Sequence, residues 1–190
     1  APVDYRGLPI GEVTRIGVDR NGIADLAALS DALAQHDKTD GLPLVAIHAA
    51  NNETGVIQPV DRIAEIVKAA GGVLVIDAVQ AVGRIPIDMS AGYADYLILS
   101  SHKIGGPKGV GALYVRRSKP RVRLVAEMDG GGHERGNRSG TLNTASIVGF
   151  GKAAEIMTNE GKEESKKLFT LRERLRTKIM RVIDETYVNG

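Results

Sequence analysis

The sequence predicts an α/β fold, a three-layer arrangement with a mostly parallel sheet between helices, and three observations carry that expectation. Four short runs, at 44–49, 73–76, 96–99 and 111–115, are apolar from end to end, the pattern of strands buried on both faces. A helical pattern separates the first two: Val60, Ile63, Ala64, Ile66 and Val67 share one face and Gly71-Gly72 closes it, which makes one βαβ unit. The chain then turns helical from about 147 to 185, where Leu168, Leu171, Leu175, Ile179 and Val182 recur at helical spacing, as in a long packing helix with a charged outer face.

Taken in order, residues 3–18 mix Pro, Gly and scattered apolar side chains, and Asp19-Arg20-Asn21-Gly22 reads as a turn before a helix at 26–35. The strand at 44–49 and the helix after it lead into the strand at 73–76. A shorter connection, 80–95, leads to the strand at 96–99, and consecutive strands joined by crossovers are expected to run parallel. The opening on an apolar segment and the ending at Tyr187-Val188-Asn189-Gly190, which reads as the start of a strand, suggest a segment of a longer protein.

Composition narrows the function classes. With 190 residues, 43% hydrophobic and 25% charged, the chain suits one domain or slightly more, and a net charge of +2 selects no partner class. The basic run at 116–123 has no interleaved aromatic residues, so it reads as a solvated edge and not as a nucleic-acid surface. There is no cysteine and no apolar stretch of about 18 residues, so a soluble cytoplasmic protein with no membrane contact is the expectation. The four histidines are scattered, and no metal site is expected.

Ligands of open α/β sheets collect at the carboxyl ends of the strands. There the first run ends in Asn51-Asn52-Glu53, the second in Asp77 followed by Gln80, and the third in Ser100, His102 and Lys103. An amine at the end of a buried strand can lose its proton and condense with an aldehyde, which a solvated lysine at neutral pH does poorly. With an acid, two amides, a hydroxyl and an imidazole beside it, Lys103 matches the needs of pyridoxal 5'-phosphate. Asp77 would keep the pyridine nitrogen protonated, Asn52 and Gln80 would bond the ring oxygen, and Ser100 and His102 would hold the phosphate. Each residue also has a plainer reading: Asp77 as a helix cap, Asn51-Asn52 as turn residues, His102 as a surface histidine.

The glycine-rich run 105–111 lacks the endings of a P-loop or a dinucleotide site and reads as a turn that lets backbone pass close to the lysine. Asp129 to Thr141, five glycines with His133-Glu134-Arg135 and Arg138-Ser139 among them, reads as a functional loop more than a linker.

Four segments in collinear order carry a resemblance: Asn51-Asn52-Glu53-Thr54-Gly55, Asp77-Ala78-Val79-Gln80, Ser100-Ser101-His102-Lys103-Ile104-Gly105-Gly106-Pro107-Lys108-Gly109, and Gly130 through Asn143. They resemble the cysteine desulfurases of the class V aminotransferase superfamily, in the group that supplies sulfur for iron-sulfur clusters and thiolated tRNA. The family has Gly where this chain has Ser101 and often Tyr where it has Gly105. The resemblance implies that Lys103 bonds the cofactor covalently, that Asp77, Asn52, Gln80, Ser100 and His102 take the roles above, and that Thr141 reaches the phosphate of the neighbouring subunit in a homodimer. It implies L-cysteine as substrate, L-alanine as product, and sulfur passed through an enzyme persulfide to an acceptor protein such as an iron-sulfur scaffold. It also implies that residues 1–160 belong to the large cofactor-binding domain and 161–190 to a connecting helix entering a small domain. The family's catalytic cysteine has no counterpart here, so this chain alone is expected to be inactive.

Overall fold

The computed structural model describes residues 11–117 and 124–189; the opening residues 1–10, most of the basic run (118–123) and Gly190 lie outside them. Four five-residue strands form one sheet in the order β1-β2-β3-β4: β1 (Leu44–His48), β2 (Val73–Asp77), β3 (Tyr96–Ser100) and β4 (Gly111–Val115). The first three are parallel, as expected, and β4 returns antiparallel to β3. The reason is length. A parallel return needs a crossover of a dozen or more residues, and the ten residues from Ser101 to Val110 instead make a short 3-10 helix, Ser101–Ile104, and a glycine turn.

Helix α1 (Leu26–Ala34) starts where Asp25 accepts hydrogen bonds from the amides of Ala27 and Ala28, both at 3.0 Å. Helix α2 (Val60–Ala69) is the crossover between β1 and β2, and Gly71, at φ 74°, takes the left-handed conformation that ends it. Ile63 and Val67 of α2, wholly buried, pack with Leu29 of α1 and with Leu74, Ile76 and Leu97 of the sheet. The core therefore lies between these helices and one sheet face.

The other face departs from the sequence reading. Leu44, Ile98 and Leu113 are 63%, 38% and 47% exposed, so the apolar runs are not buried on both sides among the described residues. Among the described residues only the face toward α1 and α2 is covered, and the apolar side chains of the other face stay exposed.

Two polar side chains fasten the ends of the core. Gln58, buried, accepts from Ala24 N at 2.9 Å and donates to Gly22 O at 2.8 Å, which ties the loop before α1 to the loop before α2. At the opposite edge Asp95 accepts from Leu74 N at 2.8 Å and from Arg116 Nε at 2.7 Å, joining the lead into β3 to β2 and to the end of β4. Burial, and then this carboxylate, hold the phenol of Tyr96 above its usual pKa.

Helix α3 (Thr144–Val182) is one unbroken helix of 39 residues, about 58 Å long. Asn143 caps it by accepting from Ser146 N at 3.2 Å. Only Ala153 and Gly161 are buried, against the lysine loop and Gly83. The stripe expected to pack is open: Leu168, Leu171, Leu175 and Val182 are each at least 45% exposed. After Gly161 no residue of this helix is buried among the described residues. The expected boundary at residue 160 falls inside this continuous helix.

Candidate functional site

The carboxyl ends of β1 and β2 and the loop after β3 enclose a cleft of about 210 Å³, lined by His48, Ala50, Asn52, Asp77, Val79, Gln80 and Lys103. Four of the residues singled out in the sequence thus meet in one place. The fold brings them there because all three parallel strands point their carboxyl ends to the same edge, and each places its polar residues within a few positions of its last strand residue.

The plainer readings separate on geometry. Asn51 is a turn residue, its Oδ1 accepting from the amides of Glu53 at 2.8 Å and Thr54 at 2.9 Å, while Asn52 faces the cleft with its amide donating to Glu53 Oε1 at 2.8 Å. Asp77 combines two behaviours. Its Oδ1 accepts from Val79 N at 2.9 Å, as a cap does, while Oδ2 has no partner among the described residues and the carboxylate lines the cleft. A carboxylate held at one oxygen and open at the other is oriented to receive a donor.

Lys103, half-buried, sits in the 3-10 helix that follows β3. Ser100 and His102 stand beside it but do not line the cleft; Ser100 Oγ and His102 Nδ1 lie 2.9 Å apart and engage each other. Thr141 lies elsewhere, exposed just before α3. Its loop is built and not slack. Ser139 is buried and its Oγ accepts from Gly132 N at 3.2 Å, and Gly136 N donates to Gly132 O and His133 O at 3.0 Å. Glu134 and Arg135 hold φ values of 50° and 61°, which non-glycine residues adopt at a cost.

The turn that carries Lys103 is clamped by close packing. Gly106 N donates to Ser101 O at 3.0 Å, and a Cβ on Gly106 would stand 2.2 Å from Ser101 Oγ and 3.1 Å from Ala153 Cβ of α3. Pro107 likewise meets Gly149 of α3, where a Cβ would come within 2.6 Å of its ring. Ser101 is wholly buried and its hydroxyl has no hydrogen-bond partner among the described residues. Replacing Gly106 with Ala is expected to cost about 1–3 kcal/mol, the range for overpacking a tight contact. Adding Ser101→Gly should restore much of the loss, because it removes the hydroxyl in the way. Denaturant midpoints of the two variants check this, and an unchanged midpoint in Gly106→Ala would contradict the packing.

The donor set fits pyridoxal 5'-phosphate: an amine, a carboxylate open at one oxygen, and two side-chain amides share a cleft with room for a small ring. His48 was missed in the sequence. It is the last residue of β1, and its position at a strand end was the available signal.

Residues 10–190 match the model of the family described as aminotransferase class-V. The chain is 53% identical over 179 residues to cysteine desulfurase IscS of Anaeromyxobacter sp. (strain Fw109-5), covering 94% of this chain and 43% of that protein. It is 49% identical, with the same coverage, to cysteine desulfurase IscS of Escherichia coli O139:H28. Among solved structures, a NifS-like protein from Rickettsia africae superposes with a TM-score of 0.85 at 36% identity, covering 92% of this chain and 47% of that one. DndA from Streptomyces lividans superposes at 0.78 with 37% identity, covering 92% and 48%. The chain spans less than half the length of these relatives. With the family model matched over almost every residue and the strand-end cleft in place, this chain belongs to the class-V aminotransferase family.

Proposed function

We propose that the protein bearing this chain is a cysteine desulfurase dependent on pyridoxal 5'-phosphate, taking sulfur from L-cysteine and leaving L-alanine for iron-sulfur cluster or thio-cofactor assembly. The observation that carries the reading is the meeting of Lys103, Asp77, Asn52 and Gln80 in one cleft. The cysteine desulfurase names of relatives near 50% identity choose the reaction. Pyridoxal 5'-phosphate, when bound, supplies an aldehyde for an amine and a ring that draws electrons from the captured amino acid.

The chain's own residues have the following parts. Lys103 would provide the amine that anchors the cofactor and would move a proton there, with His102 beside it. Asp77, through its open oxygen, would hold a proton at the ring nitrogen, and Asn52 and Gln80 would orient the ring by bonding its oxygen. Ser100 and His102, which engage each other beside the cleft, would hold the phosphate, and Thr141 would serve the neighbouring subunit of a homodimer, in keeping with its exposure outside the cleft. The 190 residues contain no cysteine, so the thiol that takes the sulfur lies outside them, beyond the connecting helix that we place from residue 161 onward. An acceptor such as an iron-sulfur scaffold then receives the sulfur. A cytoplasmic setting suits this chemistry, and no described helix is long and apolar enough to cross a membrane.

Incubating the full polypeptide with L-cysteine, cofactor and a reducing thiol is expected to yield alanine and sulfide in equal amounts. A keto acid in place of alanine would move the protein to the transaminating members of its family. Turnover of selenocysteine but not cysteine would make it a selenocysteine lyase.

A further inference from the structure

His48 shares the cleft but has no part in the roles above. On the parallel pair β1 and β2 it stands directly opposite Asp77, with strand axes about 4.8 Å apart, and register partners in a parallel pair project their side chains from the same face. That face is the open one: alternation along β1 leaves Leu44, Ala46 and His48 exposed, while Val45 and Ile47 turn to the core. Ala49 N donates to Asp77 O at 2.7 Å, which fixes the two strand ends against each other. Asp77 Oδ1 is taken by Val79 N at 2.9 Å, and the structure gives the imidazole of His48 no hydrogen-bond partner among the described residues.

We propose that His48 is a positioning residue that acts through Asp77, donating a ring N–H to the carboxylate and holding it aimed into the cleft. The inference rests on the reading of the cleft as a pyridoxal 5'-phosphate site. Its physical basis is desolvation. A ring filling the cleft strips water from Asp77, which leaves the carboxylate dependent on protein donors, and the adjacent strand can supply one. The backbone amide of Val79 supplies one such donor, and His48 supplies the second from the only other strand paired with β2 at that end besides β3, whose opposing residue is the apolar Ile98.

The test uses the full polypeptide with pyridoxal 5'-phosphate as the probe, its dissociation constant and its near-visible absorption band being read together. His48→Phe keeps a ring but loses both ring nitrogens, and is expected to weaken binding about tenfold, within the coupling range of neighbouring residues. His48→Gln keeps an N–H donor and should stay within about threefold of the native protein. In an Asp77→Asn background, His48→Phe should change binding less than about twofold, because its target is gone. An equal loss in both backgrounds, or no loss in the native one, would overturn the role of His48 while leaving the cofactor site intact. Failure of the native protein to bind the probe would overturn the reading of the cleft as well. Since His48 is exposed, an unchanged melting temperature is expected in each variant.

Discussion

Replacement of Lys103 by alanine is expected to remove the near-visible absorption of the cofactor-loaded protein and to lower alanine formation from cysteine by at least about a thousandfold, the scale on which loss of a covalent catalyst falls. Lys103 is the one lysine that lines the cleft among the described residues, and the packing of Gly106 and Pro107 against α3 holds its turn in place. The competing candidate is Lys108, five residues on in the same loop and exposed. Borohydride reduction followed by peptide mapping separates them. Label on Lys103 supports the assignment, and label on Lys108 or any other lysine would sink it. The variant should fold normally, since its side chain packs no core, so a loss of activity without a fall in melting temperature is the signature to look for.

Replacement of Asp95 by alanine should destabilise the fold by about 3 kcal/mol, the lower end for breaking a buried ion pair, out of a total stability of about 5–15 kcal/mol. The carboxylate is 6% exposed and serves two strands at once, through Leu74 N at 2.8 Å and the guanidinium of Arg116 at Nε and Nη2. Its removal strands a backbone donor in the core and unpairs this contact of the arginine. Asp95→Asn keeps a neutral acceptor for Leu74 N and should lose less. Urea midpoints measured at equal m-value check the pair, and equal losses in the two variants would mean that charge contributes nothing beyond shape. The same substitutions should ease the upward pull on the Tyr96 phenol, although burial, its larger cause, remains.

Much of the fold was legible because the periodicities are clean. Runs without polar interruption at 73–76 and 96–99 became β2 and β3 nearly to the residue, and the face defined by Val60, Ile63, Ala64 and Val67 became α2. The site was legible for a related reason: chemistry in such a sheet gathers at strand ends, and Asn52, Asp77, Gln80 and Lys103 are all within four residues of one. What failed was anything that depended on which surfaces meet. The stripe on α3 reads as packing yet lies open, and Leu113 of β4 reads as core yet is 47% exposed, since periodicity tells which side chains avoid water but not what covers them. Ser101 gave no warning that its hydroxyl would be buried without a partner under Gly106.

By itself the sequence determined the element types, the parallel core of the sheet and the residue types at its carboxyl edge, because local pattern and strand-end placement are properties of short stretches of chain. Tertiary structure alone decided the placing of Asn52 in the cleft with Asp77, Gln80 and Lys103, and the standing of His48 beside Asp77. Both depend on where side chains of separate strands and loops come to stand, and no local pattern encodes the distance between two side chains on neighbouring strands.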